Sequence, residues 1–426
     1  MLLVAIVFFI LLLLNMPVAF AIGIASIAFF LTEPNLPIEI ATQRMVAGTQ
    51  SFPLLAVPFF VIAGNLMNSS GITKRLIRFA NALTGHLVGS LAHVSIVLSM
   101  IMGGISGSAN ADAAMQSRIL GHQMIARGYS GGYSSGIIAV SSLITATIPP
   151  SIGLILYGYV GEVSIGKLFM AGIVPGILMT IVLMVISYGI AKKRGYDQHV
   201  DVKRATFKEV AVSFKDSIWA LLFPVILIVG IRFGMFTASE AGSFAVVYAL
   251  VIGIFVYKEL NWKNFKESIE QSVIDKASIL LIISASSILG FLITYNRLPQ
   301  NAADFLIGLT GSATLMIILI LIFLVVAGMF IESTVLVLLL TPIFLPIVEQ
   351  LGVDPVHFGV LMMTIVTLGG MTPPVGVTMY TTTSIMNVPI EDYIKESVPF
   401  IVGVLLLVAL LLFVPEIVMF LPNLLM

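Results

Sequence analysis

The chain contains no cysteine, which excludes disulfides, thiol catalysis and cysteine-held metal sites. Charge is also scarce: Asp, Glu, Lys and Arg make up 10% of the 426 residues, and 21 basic side chains offset 21 acidic ones. A net charge of zero excludes a basic nucleic-acid surface, so charge informs only through its placement. The five histidines are scattered and no acids lie at metal-ligand spacing, so a membrane enzyme lacks the clustered catalytic set it needs. A phosphate-binding loop of the ATPase form is missing from the sequence. The opening stretch MLLVAIVFFILLLL has neither a positive n-region nor a small-residue cleavage site before Asn15-Met16-Pro17, and reads as mature membrane helix.

What the chain has in abundance is hydrophobicity, 59% of residues with a mean hydropathy of +1.10. Many apolar runs approach the ~20 residues that cross a bilayer, so the expected class is an all-α polytopic membrane protein. Apolar spans fall near 2–31, 52–68, 87–122, 134–160, 167–190, 217–235, 241–257, 277–294, 313–349, 357–386 and 397–422. The stretches 87–122 and 313–349 are too long for one crossing and too short for two. Each carries small or polar residues at its middle, GGISGSANADAA and AGMFIEST. The economical reading is a re-entrant helical hairpin whose two arms meet at a polar tip.

Charge placement tests that reading, because cytoplasmic loops attract Lys and Arg. With the basic loop 192–215 placed inside and both hairpins re-entrant, only Arg44, Lys167, Arg232 and Arg297 of the 21 Lys and Arg fall outside. Making either hairpin a true crossing shifts the parity of later loops and spoils the count. The two halves also align: one constant shift superimposes Pro149-Pro150 on Pro373-Pro374, Gly104 on Gly328 and Pro175 on Pro399. Their opposite starting sides make them inverted-topology repeats, the arrangement of secondary transporters with midplane sites at discontinuous helices. The expected organisation is N-terminal membrane helices plus an interfacial arm over 1–51, a first repeat over 52–190, a basic loop, two scaffold helices and a second arm over 191–276, and a second repeat over 277–426. The polar segments 33–51 and 258–276 read as the two interfacial arms, frames for a moving core.

Each proline pair sits inside an apolar stretch. Proline has no N–H, so the carbonyls of Thr145, Ala146, Gly369 and Gly370 are expected to lack helical partners. Within a membrane such backbone is tolerated where it is covered by protein or lines a wet site. Together with a nearby hairpin tip, freed carbonyls offer a desolvated Na⁺ an oxygen shell. The first candidate site combines Gly103, Ser106 and Ser108 with Thr145, Ala146 and Thr147; the second combines Ala327, Gly328 and Phe330 with Gly369, Gly370 and Thr372. Half-helix N-termini between them suit a substrate carboxylate. Candidate contacts to it are Ser106, Ser108, Asn110, Pro150, Ser151, Glu332, Ser333, Pro374 and Thr378.

Bland readings stand beside these. Gly-Gly and Ser-Gly-Ser more often mark close helix packing than ligand binding, and only their co-occurrence with the breaks in both halves favours a site. Asp112 and Glu332, acids beside the tips, are either functional or caps of nearby N–H groups. His93, alone on an apolar helix, reads as a satisfied structural histidine. Arg297 either meets an anion or anchors a loop through Asp304, and the 21 methionines read as adaptable packing. A channel would need a continuous polar path or charged ring, which the sequence does not display.

The strings GGISGSANADAAM, ITATIPPSIGLILYG and GGMTPPVGVTMYTTTSI resemble the large membrane subunit, M or DctM type, of the tripartite ATP-independent periplasmic (TRAP) transporters, and the resemblance runs over essentially the whole chain. It implies a bacterial inner-membrane importer of a C4-dicarboxylate or a sugar acid such as sialic acid. It further implies Na⁺ as coupling ion with no other cofactor, an elevator motion, an extracytoplasmic binding protein, and a small four-helix membrane subunit. The family would place its sodium sites at the same two tip-and-break constellations. A stand-alone Na⁺/dicarboxylate symporter of related inverted-repeat fold is the alternative.

Overall fold

A computed structural model describes residues 1–14, 16–197, 204–301 and 312–426. Lys203 of the basic loop and Asp304, the partner suggested for Arg297, lie outside them. All regular structure in the described residues is helical. The first half runs α1 (Leu2–Leu13), α2 (Val18–Thr32), α3 (Ile38–Thr49), α4 (Ala56–Ser69), α5 (Ile72–Thr84), α6 (Ser90–Gly103), α7 (Ala109–Gln116), α8 (His122–Ala126), α9 (Gly131–Thr147), α10 (Ile152–Val160) and α11 (Ile165–Arg194). Then follow α12 (Phe207–Arg232), α13 (Ala238–Val251), α14 (Trp262–Tyr295), α15 (Ala313–Gly328), α16 (Ser333–Gln350), α17 (Pro355–Gly369), α18 (Val377–Met386), α19 (Ile390–Phe413) and α20 (Pro415–Leu425). Among the described residues seven helical stretches are long and apolar enough to span a bilayer, and α9 with α10, bent by 46°, forms an eighth if taken as one span.

The apolar run 2–31 is two helices, because Pro17 stands at the N-cap of α2 with φ −56° and ψ 137° and stops α1. With 12 residues, α1 is about 18 Å long. It packs on α2, and Val4 shares one buried cluster with Phe29 and Phe30 of α2 and Ile288 of α14. One expectation changes: the second arm, expected over 258–276, is no separate element. Residues 262–295 form one 34-residue helix, since neither Pro nor Gly interrupts the step from its polar start to its apolar end. In the first half the 3₁₀ turn Phe52–Leu55, with Pro53 inside it, does separate α3 from α4.

The hydrophobic effect between helices is weak in lipid, so burial here marks packing within the helix assembly. The helices leading into the two breaks are the most enclosed: α9 is buried from Gly132 to Thr147, and α17 from Val356 to Gly369. Both are apolar or small-residue all round, as a core helix must be. Around them α12, α13 and α14 turn Val225, Val247 and Ile274 outward, each more than half exposed, as lipid-facing surface. The arms α6 and α7 pack mainly on α9 rather than on each other, and α15 packs mainly on α17. Each tip is therefore held against the end of a core helix.

Candidate ion and substrate site

The first tip is the turn 104–108 between α6 and α7. Gly107 takes φ +60° there, a conformation that L side chains avoid, and an added Cβ would collide with the carbonyl of Pro150. Its own carbonyl accepts from Ile152 N at 3.4 Å, which ties the tip to the start of α10. Gly103 is equally constrained, since a Cβ there would stand 2.8 Å from that of Ile148. At the second tip Gly376 N donates to Met329 O at 2.8 Å. Gly328 and Gly369 meet backbone to backbone: a Cβ on Gly369 would lie 2.6 Å from the Cα of Gly328. Both Pro149-Pro150 and Pro373-Pro374 are cis peptides.

The expectation of four freed carbonyls is corrected for three of them. Ser151 Oγ donates to Ala146 O at 2.5 Å. Gly369 O accepts from Thr372 N at 2.9 Å and from its Oγ1 at 2.7 Å, and Gly370 O accepts from Thr378 N at 2.9 Å. An unmatched buried carbonyl costs about 1–3 kcal/mol, and the residues following each break are placed to avoid that cost. Ala327 O is also occupied, by Phe330 N and Ile331 N at 3.1 Å. Thr147 Oγ1 turns back to Leu143 O at 2.9 Å. Among the described residues, the backbone oxygens of Gly103, Ser106 and Thr145 in the first half, and of Gly328 and Phe330 in the second, accept no hydrogen bond. Ser106 Oγ is buried without a partner.

The half-helix N-termini are less open than expected. Ser108 caps α7 by accepting from Ala111 N at 3.4 Å, Ser151 caps α10 through Leu154 N at 3.3 Å, and Glu332 caps α16 through Thr334 N at 2.9 Å. Glu332 also accepts from Ser333 Oγ at 3.2 Å, so its carboxylate serves the tip itself. Of the four half-helix starts α7, α10, α16 and α18, α18 alone has no side-chain cap, at Gly376 beside the exposed Pro374. Asn110 reaches the other half, accepting from Thr381 Oγ1 at 2.8 Å between α7 and α18.

Asp112 is no cap. It is 1% exposed, and its Oδ2 accepts from Ser99 Oγ at 2.7 Å, Thr145 Oγ1 at 2.8 Å and Gln116 Nε2 at 2.9 Å. Ser95 Oγ extends the network to Gln116 Oε1 at 2.6 Å, and Ser141 Oγ lies 3.3 Å from Ser99 Oγ. No basic side chain pairs with Asp112 among the described residues, and Oδ1 has no partner. The sequence signal was present: α6, α7 and α9 each contribute a polar pair at the i, i+4 spacing, Ser95/Ser99, Asp112/Gln116 and Ser141/Thr145, which face one way along a helix. Under the shift that carries Pro149 onto Pro373, the corresponding positions of the second half are Leu319, Phe323, Leu336, Leu340, Ile365 and Gly369. None of these six positions carries a polar side chain, so the first half alone has this network at the shifted positions. Tyr393, also missed, donates from α19 to Met371 O in the second break at 2.7 Å. His93 is corrected as well, because neither ring nitrogen finds a partner among the described residues. A cavity of about 530 Å³ between α5 and α12 shares no residue with either tip.

Comparison with known proteins gives the family of the chain. Residues 5–417 match the family model described as the DctM component of the tripartite ATP-independent periplasmic transporters. The sialic acid TRAP transporter large permease protein SiaM of Vibrio cholerae is 38% identical over 96% of this chain and 95% of its own. The C4-dicarboxylate TRAP transporter large permease protein DctM of Rhodobacter capsulatus is 30% identical over 97% of both. The solved structure of the YdaH transporter of Alcanivorax borkumensis, 15% identical, superimposes with a TM-score of 0.64 over 88% of each chain, a likeness of fold alone. The helical architecture, the apolar spans and the family match over nearly the full length make this multi-pass chain a large permease subunit of the TRAP transporter family.

Proposed function

We propose that the chain is the permease of a Na⁺-coupled importer of a small organic acid, acting in the bacterial inner membrane by an elevator motion. Substrate would be delivered by an extracytoplasmic binding protein, and a small four-helix subunit would complete the membrane scaffold. The observation that carries the reading is the repeated closure of a tip on a break: Ile152 N bonds Gly107 O, and Gly376 N, the counterpart of Ile152 in the second half, bonds Met329 O. The caps Ser108 and Glu332 correspond under the same shift. Such pairs are what two inverted repeats with re-entrant hairpins require, and they support that topology.

In this reading one Na⁺ binds at the first tip, among the open oxygens of Gly103, Ser106 and Thr145, with the Asp112 charge close behind Thr145. A second binds near the open oxygens of Gly328 and Phe330. A substrate carboxylate then sits between them, beside the uncapped start of α18, with Asn110, Pro374 and Thr378 around it. Glu332, used as a cap, becomes a neighbour to the substrate rather than a contact. A cation 4 Å from a carboxylate contributes about 4 kcal/mol at an effective dielectric constant near 20, enough to make acid binding depend strongly on Na⁺. The relatives named for sialic acid and for C4-dicarboxylates favour an organic acid here. The test is uptake by vesicles that hold the permease, its small subunit and its binding protein. Uptake is expected to follow an inward Na⁺ gradient without ATP; undiminished uptake with choline in place of Na⁺ overturns the coupling. A stand-alone Na⁺/dicarboxylate symporter instead takes up substrate with the binding protein omitted.

A further inference from the structure

We infer that Asp197 is a positioning residue for the first half-site: its carboxylate fastens both tip-remote ends of the α6–α8 segment to the end of α11, so that this segment moves with α9, α11 and α19 as one body and does not open at its base. The inference rests on the function proposed above only in the importance it gives to the first tip. One oxygen, Oδ2, accepts from Ser90 N at 2.9 Å, from Ser90 Oγ at 3.0 Å and from the Tyr129 hydroxyl. Ser90 is the first residue of α6, and Tyr129 follows α8, so a single carboxylate holds the start and the finish of the segment that carries the tip. Burial, and then the Asp197 hydrogen bond, raise the Tyr129 phenol above its ordinary value, so it remains a donor.

The surrounding contacts make this a junction of four elements. Tyr196 stacks on Tyr129 with centroids 4.5 Å apart, and its hydroxyl accepts from Ser130 N at 3.1 Å. Arg194, at the last turn of α11, pairs with Glu396 of α19 at 2.6 Å. Tyr133 of α9 bonds Ser187 of α11 at 2.7 Å and lies against Phe400 of α19. Gly89, with φ +76°, lets α6 start directly on α11: a Cβ there would stand 2.5 Å from that of Ala191. Asp197 itself takes φ +58°, a left-handed conformation that Asp and Asn adopt more readily than other side chains. Arg127 sits beside the junction and donates to Ser90 Oγ at 3.4 Å. In the second half the positions equivalent to Ser90, Tyr129 and Asp197 are Thr314, Val353 and Leu421, with no carboxylate to do the same. Among the described residues this fastening is seen at the first tip only.

The natural absence of cysteine gives a clean test in the assembled complex, read by amide hydrogen exchange, by Na⁺ binding and by uptake. Asp197→Ala is expected to speed exchange of amides near 89–93 and 127–131 and to weaken Na⁺ binding about tenfold, the effect of losing hydrogen bonds to a charged group. Asp197→Asn keeps an acceptor oxygen and is expected to retain both properties. In the Ser90→Cys, Asp197→Cys double variant, uptake is expected to be low when reduced and restored when the disulfide forms. Unchanged exchange in Asp197→Ala, or loss of uptake on oxidation, overturns the inference. If Asp197→Ala does not fold, the asparagine variant and the disulfide decide. A wild-type protein indifferent to Na⁺ would refute the coupled function, while the exchange measurement would still judge the fastening.

Discussion

Ser106 and Thr372 occupy comparable places, one at the first tip and one at the second break, yet removing their hydroxyls should have different consequences. Ser106 Oγ is buried with no protein partner, so Ser106→Ala loses nothing in the ion-free protein. Its stability without Na⁺ is expected to stay within about 0.5 kcal/mol of wild type, whereas Na⁺ affinity falls; thermal unfolding with and without Na⁺ checks both. Thr372 Oγ1 bonds Gly369 O at 2.7 Å, and Thr372→Ala is expected to cost about 1 kcal/mol even without the ion. The sequence placed both hydroxyls near a proline pair but could not tell a free one from one already engaged, because that depends on how the chain turns after the break. Glycines divide in the same way. Gly369→Ala drives a Cβ into the Gly328 backbone and is expected to destabilise by about 1–3 kcal/mol. Gly189→Ala and Gly290→Ala meet nothing within 4 Å on their helices and are expected to be neutral or to gain up to about 1 kcal/mol. Equal melting points for all three would contradict the close approach of the second tip to its break.

At the scale of elements, the proline pairs announced the breaks, and the helices on either side end and begin where they should. What periodicity could not convey is how the broken backbone is satisfied. In the first break a neighbouring residue does it, Ser151; in the second, part of the work falls to Tyr393, reaching from another helix to Met371 O. Tyr393→Phe keeps the packing and removes that donor. We expect a loss of about 1 kcal/mol in stability, and a larger change in Na⁺ response than a surface Tyr→Phe such as Tyr380→Phe gives. A melting temperature unchanged by Tyr393→Phe would show that water serves the carbonyl equally well. The same limitation explains the second arm, read as separate from its polar composition. A helix continues across a polar-to-apolar change when no residue stops it, so residues 262–295 run on unbroken.

For the whole molecule, the distribution of Lys and Arg predicts sidedness, and a chain without cysteine allows it to be read one residue at a time. Single variants Lys74→Cys, Lys193→Cys and Lys258→Cys are expected to react with an impermeant thiol reagent only from the cytoplasmic side, and Lys167→Cys and Arg232→Cys only from the outside. Labelling of Lys74→Cys from outside would remove the parity on which the hairpin reading rests. The core helices α9 and α17 each end at a break bonded to a neighbouring turn. The Asp112 network and the Asp197 junction both lie beside the first of these breaks or on the segment leading to it. The two candidate ion sites are accordingly expected to differ in affinity.

The amino-acid sequence by itself determined the membrane class, the two breaks and the turns between α6 and α7 and between α15 and α16, because each follows from local facts: apolar length, a missing N–H, a run of small residues. Only the tertiary structure decided which oxygens remain open at the tips, that Glu332 caps and Asp112 does not, and that Asn110 reaches Thr381 while Asp197 gathers Ser90 and Tyr129. Those outcomes depend on which donor from a distant part of the chain arrives within about 3 Å of an acceptor, and no pattern along the chain specifies that distance.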